Sequence, residues 1–126
     1  MVTRGDVVIV TGSRNWADES AIERRLRRYP KGTILIHGDA RGADTIAARV
    51  GRKMGFQVLA IPYFGDLKKL GGHERNTLLV NLGVTFRTSK YRVSVEAFPM
   101  PDSRGTWDCV EQARERDLPV FIGERN

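Results

Sequence analysis

Three short segments combine glycine, a small hydroxyl or carboxylate residue and arginine, which is a combination suited to binding an anion. They are Thr11-Gly12-Ser13-Arg14, Gly38-Asp39-Ala40-Arg41-Gly42-Ala43-Asp44 and Pro101-Asp102-Ser103-Arg104-Gly105-Thr106. Glycine lets the backbone turn sharply and approach a ligand closely. Arginine binds phosphate oxygens through two parallel N–H groups. The three segments together predict a site for a phosphate-bearing ligand.

The candidate site also takes in the start of a later predicted helix, where Arg75 would hold a phosphate beside Asn76. Neither the G-x-G-x-x-G dinucleotide motif nor the P-loop motif occurs in the sequence, so the prediction depends on the repetition of similar loops. The predicted nucleotide- or phosphate-binding residues are Gly12, Ser13, Arg14, Gly38, Asp39, Arg41, Gly42, Asp44, Asn76, Arg104, Gly105 and Thr106.

Several side chains near these segments have two interpretations. Asp39 and Asp44 could be ribose ligands or helix caps, and the sequence does not separate the two roles. Trp16 and Trp107 are the kind of residue that usually packs in a core, but each lies next to a predicted binding loop and could stack on a base.

The histidines and the cysteine give little support for a metal site. His37 follows a predicted strand and is expected to be buried or hydrogen-bonded. His73, with Glu74, is either an acid–base pair or the start of a helix. Cys109 is the single cysteine, which excludes an intrachain disulfide and a cysteine-based zinc site. We therefore predict no metal and no cofactor.

The elements that must position these residues alternate between strand and helix. Such alternation predicts an α/β fold, namely a single Rossmann-like three-layer domain over residues 1–126 with a mostly parallel sheet of about five strands. Ligands of such sheets bind outside the carboxyl ends of the strands. The predicted strands are Val7–Val10, Thr33–His37, Phe56–Ile61, Tyr91–Phe98 and Leu118–Ile122.

The helix boundaries are predicted from caps and breakers. The first helix begins near Asp18 to Ser20, with Ser20 and Glu23 spaced as a capping box. A loop containing Gly65, Gly71 and Gly72 leads to the third helix. The segment from Val84 to Ser94 is rich in Thr, Arg, Ser and Lys, so it could be a hairpin arm or a long loop.

The composition is that of a basic globular protein. Twenty-one Lys and Arg against fifteen Asp and Glu give a net charge of +6, which favours anionic partners. Arg24, Arg25, Arg27, Arg28 and Lys31 would form the solvated face of a helix or, as the alternative, a nucleic-acid patch. No segment has the roughly 20 apolar residues of a membrane helix, and there is no signal-peptide pattern, so we expect a cytoplasmic protein without membrane partners.

Four motifs in this order resemble those of the YspA-like family of the SLOG superfamily, which consists of small Rossmann-like domains common in bacteria and their phages. They are Val10 to Asp18, His37 to Asp44, Glu74-Arg75-Asn76 and Gly105 to Val110. The resemblance implies a nucleotide or nucleotide-derived ligand. It also implies a homo-oligomer, because the related LOG proteins commonly form dimers, and a bacterial cytoplasm, or a host cytoplasm if the protein is phage-encoded.

The LOG proteins, once labelled lysine decarboxylases, are phosphoribohydrolases with the motif P-G-G-x-G-T-x-x-E. Gly105 and Thr106 match this motif, but the Pro-Gly-Gly lead-in is missing and Cys109 occupies the glutamate position. If the chain is an enzyme, Asp108 and Glu74 are the candidate catalytic carboxylates, with Arg75 holding the phosphate. No lysine lies in the four motifs, so a pyridoxal-dependent lysine decarboxylase is not expected.

Three functions remain open from the sequence. The chain could be a nucleotide-binding domain that senses or sequesters its ligand. It could instead be a nucleoside 5′-monophosphate phosphoribohydrolase that cleaves the base. The third alternative is a nucleic-acid-binding module, although basic and aromatic residues are not regularly interleaved.

Overall fold

The computed structural model describes residues 3–62 and 71–124, and in these residues strands and helices alternate along the chain. The elements are β1 Asp6–Gly12, α1 Glu19–Leu26, β2 Ile34–His37, α2 Ala43–Lys53, β3 Gln57–Ala60, α3 Gly71–Thr88, β4 Arg92–Phe98, α4 Arg104–Glu115 and β5 Val120–Ile122.

The strands form one parallel sheet in the order β3-β2-β1-β4-β5. β1 is the central strand, and the chain adds β2 and β3 on one side of it before crossing to add β4 and β5 on the other. The predicted α/β, Rossmann-like three-layer fold with about five mostly parallel strands is therefore confirmed. The order of the strands reverses between β1 and β4, which is where sheets of this type bind ligands.

Two hydrophobic cores cover the two faces of the sheet. Val8 and Val10 of β1 pack with apolar residues of α1 and α2, whereas Val7 and Ile9 pack with those of α3 and α4. Successive side chains of a strand point to opposite faces, so a central strand covered on both faces needs a continuous apolar run. This explains why Val7 to Val10 are all fully buried.

The segment from Val84 to Ser94 is neither a hairpin arm nor a long loop, so that prediction was wrong. α3 continues to Thr88, and β4 begins at Arg92 after a turn in which Lys90 has a φ of 75°. The aromatic rings of Phe86 and Tyr91, 5.1 Å apart, pack edge to face across the turn. Packing of this helix end against the core outweighs its polar composition.

The start of α3 also differs from the prediction. Gly71 and Gly72, expected in a loop, are the first residues of the helix. Gly65, the other glycine of that expected loop, lies outside the described residues.

α1 begins at Glu19 and is capped by Asp18, not by Ser20 as the capping-box prediction had it. The Asp18 carboxylate accepts a hydrogen bond from the Ala21 amide at 3.1 Å, which leaves the Ser20 hydroxyl to donate to the same carboxylate at 3.3 Å. Aspartate three residues before a helical N–H is the preferred cap geometry.

The basic residues of α1 and of the segment that follows it do not all lie on a solvated face. Arg24, Arg27, Arg28 and Lys31 are exposed, but Arg25 forms a bidentate ion pair with Glu96 of β4. Glu96 is fully buried, and the hydroxyl of Tyr29 donates a third hydrogen bond to it at 2.7 Å. The prediction of a solvated face therefore fails for Arg25, which neutralises a carboxylate inside the protein.

None of the helices in the described part of the chain is both long and apolar enough to cross a membrane.

Candidate functional site

A cleft of about 640 Å³ opens at the carboxyl ends of β1, β2 and β4, where the strand order reverses. Its volume is in the range typical of small-molecule sites. The lining residues are Thr11, Gly12, Ser13, Arg14, Asn15, Gly38, Asp39, Ala40, Arg41, Asp44, Pro62, Gly72, Arg75, Asn76, Asp102, Ser103, Arg104, Gly105 and Thr106.

The cleft brings together residues that the sequence analysis predicted separately. Every predicted binding residue lines it except Gly42, and so does Arg75 among the predicted catalytic residues. Glu74 and Asp108 are not in the lining. Sequence reasoning did not select Thr11, Ala40, Asp102 and Ser103, although they belong to the same three segments, nor did it select Asn15, Pro62 and Gly72.

Close backbone packing holds the loop after β1 against the end of β4 and against the loop that leads from β2 to α2. The Ser13 amide donates to the Phe98 carbonyl at 2.9 Å, and the Ala43 amide donates to the Ser13 carbonyl at 3.1 Å. A Cβ on Gly12 would lie 2.4 Å from the Ala43 Cβ, and one on Gly42 would lie 2.4 Å from the Ser13 carbonyl oxygen. Glycine is therefore required at both positions, and Gly42 acts behind the cleft lining by allowing this approach.

Asp44 holds the loop between β2 and α2. Its Oδ2 accepts hydrogen bonds from the amides of Gly38 at 3.0 Å and Ala40 at 3.3 Å. α2 itself starts after Gly42, which provides no side-chain cap, so Asp44 stabilises the loop and does not cap the helix. Asp44 is buried, and among the described residues its Oδ1 has no hydrogen-bond partner. Burial raises the pKa of the Asp44 carboxyl to about 7.

His37 and Asp39 form the turn at the end of β2. The Asp39 amide donates to His37 Nδ1 at 2.9 Å, and Asp39 has a φ of 58°. His37 is almost fully buried, which confirms the expectation of a buried, hydrogen-bonded histidine. Burial also lowers the pKa of His37, so the imidazole is neutral and acts as an acceptor for the loop. The Asp39 side chain is exposed and lines the cleft.

Arg75 reaches from α3 to the end of β2. Its guanidinium donates to the carbonyl oxygen of Gly38 and, at 3.4 Å, to the side-chain oxygen of Asn76. A Cβ on Gly38 would lie 2.5 Å from the guanidinium carbon. Glycine at position 38 therefore makes room for a cation at the wall of the cleft.

Asp108 belongs to a polar network that joins α3 to α4. Its carboxylate is within hydrogen-bond distance of His73 Nδ1 at 2.9 Å and accepts from Asn76 at 2.9 Å and Gln112 at 3.0 Å. Burial raises the pKa of Asp108, but the hydrogen bonds from Asn76, His73 and Gln112 together hold it below its usual value. The same Asn76 amide donates to the Gly105 carbonyl at 3.0 Å, so the network positions the cleft wall.

Cys109, at the position of the LOG glutamate, is fully buried in the core between the sheet, α3 and α4. Burial raises the pKa of its thiol to about 12, so the group stays protonated and unreactive near neutral pH. The residue at this position is therefore inaccessible to solvent and does not supply the carboxylate of the LOG motif.

The two tryptophans have different environments. Trp16 is only 2% exposed, packs edge to face on Phe98 with ring centres 5.4 Å apart, and donates its indole N–H to the Asp18 carbonyl. The packing interpretation is therefore confirmed for Trp16. Trp107 is 39% exposed on α4, one residue beyond Thr106 of the cleft lining.

Among residues 3–62 and 71–124, no group of three or more His, Cys, Asp or Glu side chains is arranged to hold a metal ion.

Comparison with known proteins places this fold among its relatives. The sequence profile of the YspA, cpYpsA-related SLOG family, YAcAr, matches residues 6–63. The Gene 61 protein of Mycobacterium phage D29 is 35% identical over an alignment 124 positions long, which covers 90% of this chain and 93% of the phage protein. Among solved structures, DNA processing protein A (DprA) of Streptococcus pneumoniae superposes with a TM-score of 0.55 at 16% identity. That match covers 94% of this chain but only 59% of DprA, and it shows a shared fold. The chain belongs to the YspA, cpYpsA-related SLOG family.

Proposed function

We propose that the chain binds a nucleotide or a nucleotide-derived ligand in the cleft and acts as a sensor or sequestering domain. The observation that carries this proposal is the convergence of Arg14, Arg41 and Arg104, from three different loops, on one cleft at the reversal of strand order. Membership of a SLOG family supports it, because the resemblance implies a ligand of this class.

The mixture of charges in the cleft fits a nucleotide better than it fits inorganic phosphate. Arginines suit phosphate oxygens, whereas Asp39, Asp44 and Asp102 in the same lining offer acceptors for donors. A nucleotide carries both kinds of group, since its ribose hydroxyls and base amino groups are donors.

Two helices begin at the cleft without a side-chain cap. Their first amides, those of Ala43 and Arg104, donate to the carbonyls of Ser13 and Asp102, which leaves the following N–H groups of each first turn for an anion. α2 follows Gly42 and α4 follows Ser103, and neither residue's side chain caps its helix. The Ser103 hydroxyl instead accepts from the Met100 amide at 2.8 Å. The positive end of a helix dipole together with free amides favours a phosphate at such a position.

A phosphoribohydrolase is the first alternative. Such an enzyme needs a carboxylate at the reacting ribose, and the two candidates predicted from the sequence, Asp108 and Glu74, are outside the cleft lining, while Cys109 is buried. Asp108 is also engaged by three partners on α3 and α4. Hydrolysis would therefore have to use an aspartate of the cleft lining, and release of the base from a bound nucleotide is the result that would favour it.

A nucleic-acid-binding module is the second alternative, favoured by the net charge of +6 and by the likeness to DNA processing protein A. The exposed residues Arg28, Lys31, Arg52 and Lys53 would supply contacts to phosphates. Binding of this kind weakens steeply with salt, in proportion to the number of phosphates neutralised. A single nucleotide in the cleft would show a smaller dependence, because fewer phosphates are neutralised.

The test is a ligand panel with two readouts on each sample. Purified protein is incubated with nucleoside mono-, di- and triphosphates, cyclic dinucleotides and a single-stranded oligonucleotide, and both the thermal shift and the released base are measured. The proposal expects stabilisation by at least one nucleotide that is recovered intact. Released base that is lost in Asp108→Asn would establish the hydrolase instead, and salt-sensitive binding of the oligonucleotide alone would establish the nucleic-acid module.

A further inference from the structure

A second, apolar groove of about 710 Å³ lies on the other side of the loop between β4 and α4. The groove, called the Trp107 groove below, is lined by Trp16, Pro99, Met100, Pro101, Trp107, Ile122, Gly123 and Glu124. The indole of Trp107 is 39% exposed there, whereas Trp16 contributes only a buried edge. A partly exposed tryptophan in an apolar groove is an available stacking surface.

One segment of chain separates the Trp107 groove from the cleft. Pro101 lines the groove and Asp102 lines the cleft, and the same change of side occurs between Trp107 and Thr106. Arg104 of the cleft and Trp107 of the groove are three residues apart on α4. Residues at this spacing are neighbours on one side of a helix, with Cβ atoms about 5–6 Å apart.

We propose that Trp107 stacks on the base of the nucleotide whose phosphate is held at Arg104, so that the ligand lies across the loop between β4 and α4. This inference rests on the proposed function and adds a position for the base. It also makes Trp107 the residue that distinguishes a nucleotide from a simple sugar phosphate.

The groove suits a neutral, flat group and not a phosphate. Met100, Pro101 and Ile122 contribute apolar side chains to it, and among the described residues Glu124 is its one ionisable lining residue. A carboxylate repels a phosphate, while the arginines that attract one line the cleft. The cleft would therefore hold the phosphate of the nucleotide, and the Trp107 groove would hold its base.

The two tryptophans provide a direct measurement. Trp16 is buried, so a stacked base would quench the emission of Trp107. AMP, GMP, CMP, UMP and ribose 5-phosphate are titrated into the wild type, Trp107→Phe and Trp107→Ala, with Kd from calorimetry and tryptophan emission recorded together. Leu78→Ala is the matched control, because Leu78 is an exposed apolar residue of α3 that lines neither the cleft nor the groove.

In the wild type, the proposal expects at least one of these nucleotides to bind about tenfold more tightly than ribose 5-phosphate and to quench emission. Trp107→Ala should reduce the ratio of the Kd for ribose 5-phosphate to the Kd for the nucleotide to near one. Trp107→Phe should keep most of this ratio but lose the quenching, and Leu78→Ala should keep both. Equal affinity for nucleotides and ribose 5-phosphate in the wild type would overturn the role of Trp107 and leave the phosphate site intact.

Two other results would also overturn the stacking of a base on Trp107. Absence of binding by all five compounds would overturn this inference, while the wider panel of di- and triphosphates and cyclic dinucleotides separately decides on the nucleotide site itself. A change in sedimentation coefficient in Trp107→Ala, with the nucleotide preference retained, would assign the groove to contact between two copies of the chain and overturn the stacking proposal.

Discussion

Gly42 lies directly against the carbonyl oxygen of Ser13, and this contact sets the distance between two loops of the cleft. A Cβ at position 42 would be 2.4 Å from that oxygen and 2.5 Å from the carbonyl oxygen of Arg14. Gly42 also has a φ of 73° and a ψ of −122°, a conformation almost restricted to glycine. The position is therefore fixed both by backbone conformation and by the lack of space.

Gly42→Ala should lower the free energy of unfolding by more than the roughly 1–2 kcal/mol that a positive φ alone costs. Gly32→Ala is the matched control, because Gly32 has a φ of 89° but no atom within 4 Å of its would-be Cβ. Urea denaturation of both variants separates the two effects. A Gly42 variant no less stable than the Gly32 variant would show that the two loops are not held this closely.

Arg25→Ala should destabilise the protein by about 3–5 kcal/mol, since it leaves the buried carboxylate of Glu96 without its cation. The control is Arg27→Ala, which removes a surface pair with Glu23 and should cost at most about 1 kcal/mol. Chemical denaturation at neutral pH measures both. Equal losses of unfolding free energy in the two variants would mean that the Glu96 carboxylate is accessible to solvent in the folded protein.

Asp44 should make stability depend on pH. Its folded-state pKa of about 7 is above the ordinary aspartate value of 3.8, so the folded state holds the proton more tightly. The resulting stability is fully present below about pH 4 and is lost as pH rises through 7, with a limiting slope of about 1.4 kcal/mol per pH unit. Asp44→Asn should remove this slope.

The measurement for Asp44 is the free energy of unfolding between pH 4 and pH 8. Asp102→Asn is the control, because it changes an exposed aspartate of the same cleft and leaves Asp44 in place. An Asp44→Asn variant with the same pH dependence as the wild type would show that Asp44 is ionised at low pH in the folded protein.

The sequence was informative about the cleft because the relevant signals are local. Each glycine- and arginine-containing loop follows a short apolar run, and a parallel sheet places the carboxyl ends of its strands along one edge. The positions of Gly12 next to Ala43 and of Gly42 next to Ser13 then follow from the fold. What the sequence could not reveal was which oxygen of Asp44 the loop would use.

The predictions from sequence that were wrong failed because the deciding contacts come from distant parts of the chain. Glu96 and Arg25 are 71 residues apart, and nothing near Arg25 in the sequence indicates a buried partner. Thr85 and Thr88, which suggested a loop, instead donate their hydroxyls to carbonyls four residues back within α3. From its place on α4, the Asp108 side chain could have faced either the cleft or α3. Only the packing of the two helices shows that it faces α3, where the Asn76 amide donates to it.

The most direct test of the nucleotide site is calorimetric titration of the wild type, Arg41→Ala, Arg104→Ala and Arg28→Ala with each nucleotide of the panel that stabilises the fold. Arg28 is exposed, lies outside the cleft lining and gives the same loss of charge. We predict that Arg41→Ala and Arg104→Ala each weaken nucleotide binding by roughly 10- to 100-fold, as for the loss of a charged hydrogen bond, while Arg28→Ala changes it less than about twofold. Equal losses in all three variants, or no nucleotide that binds at all, would contradict it.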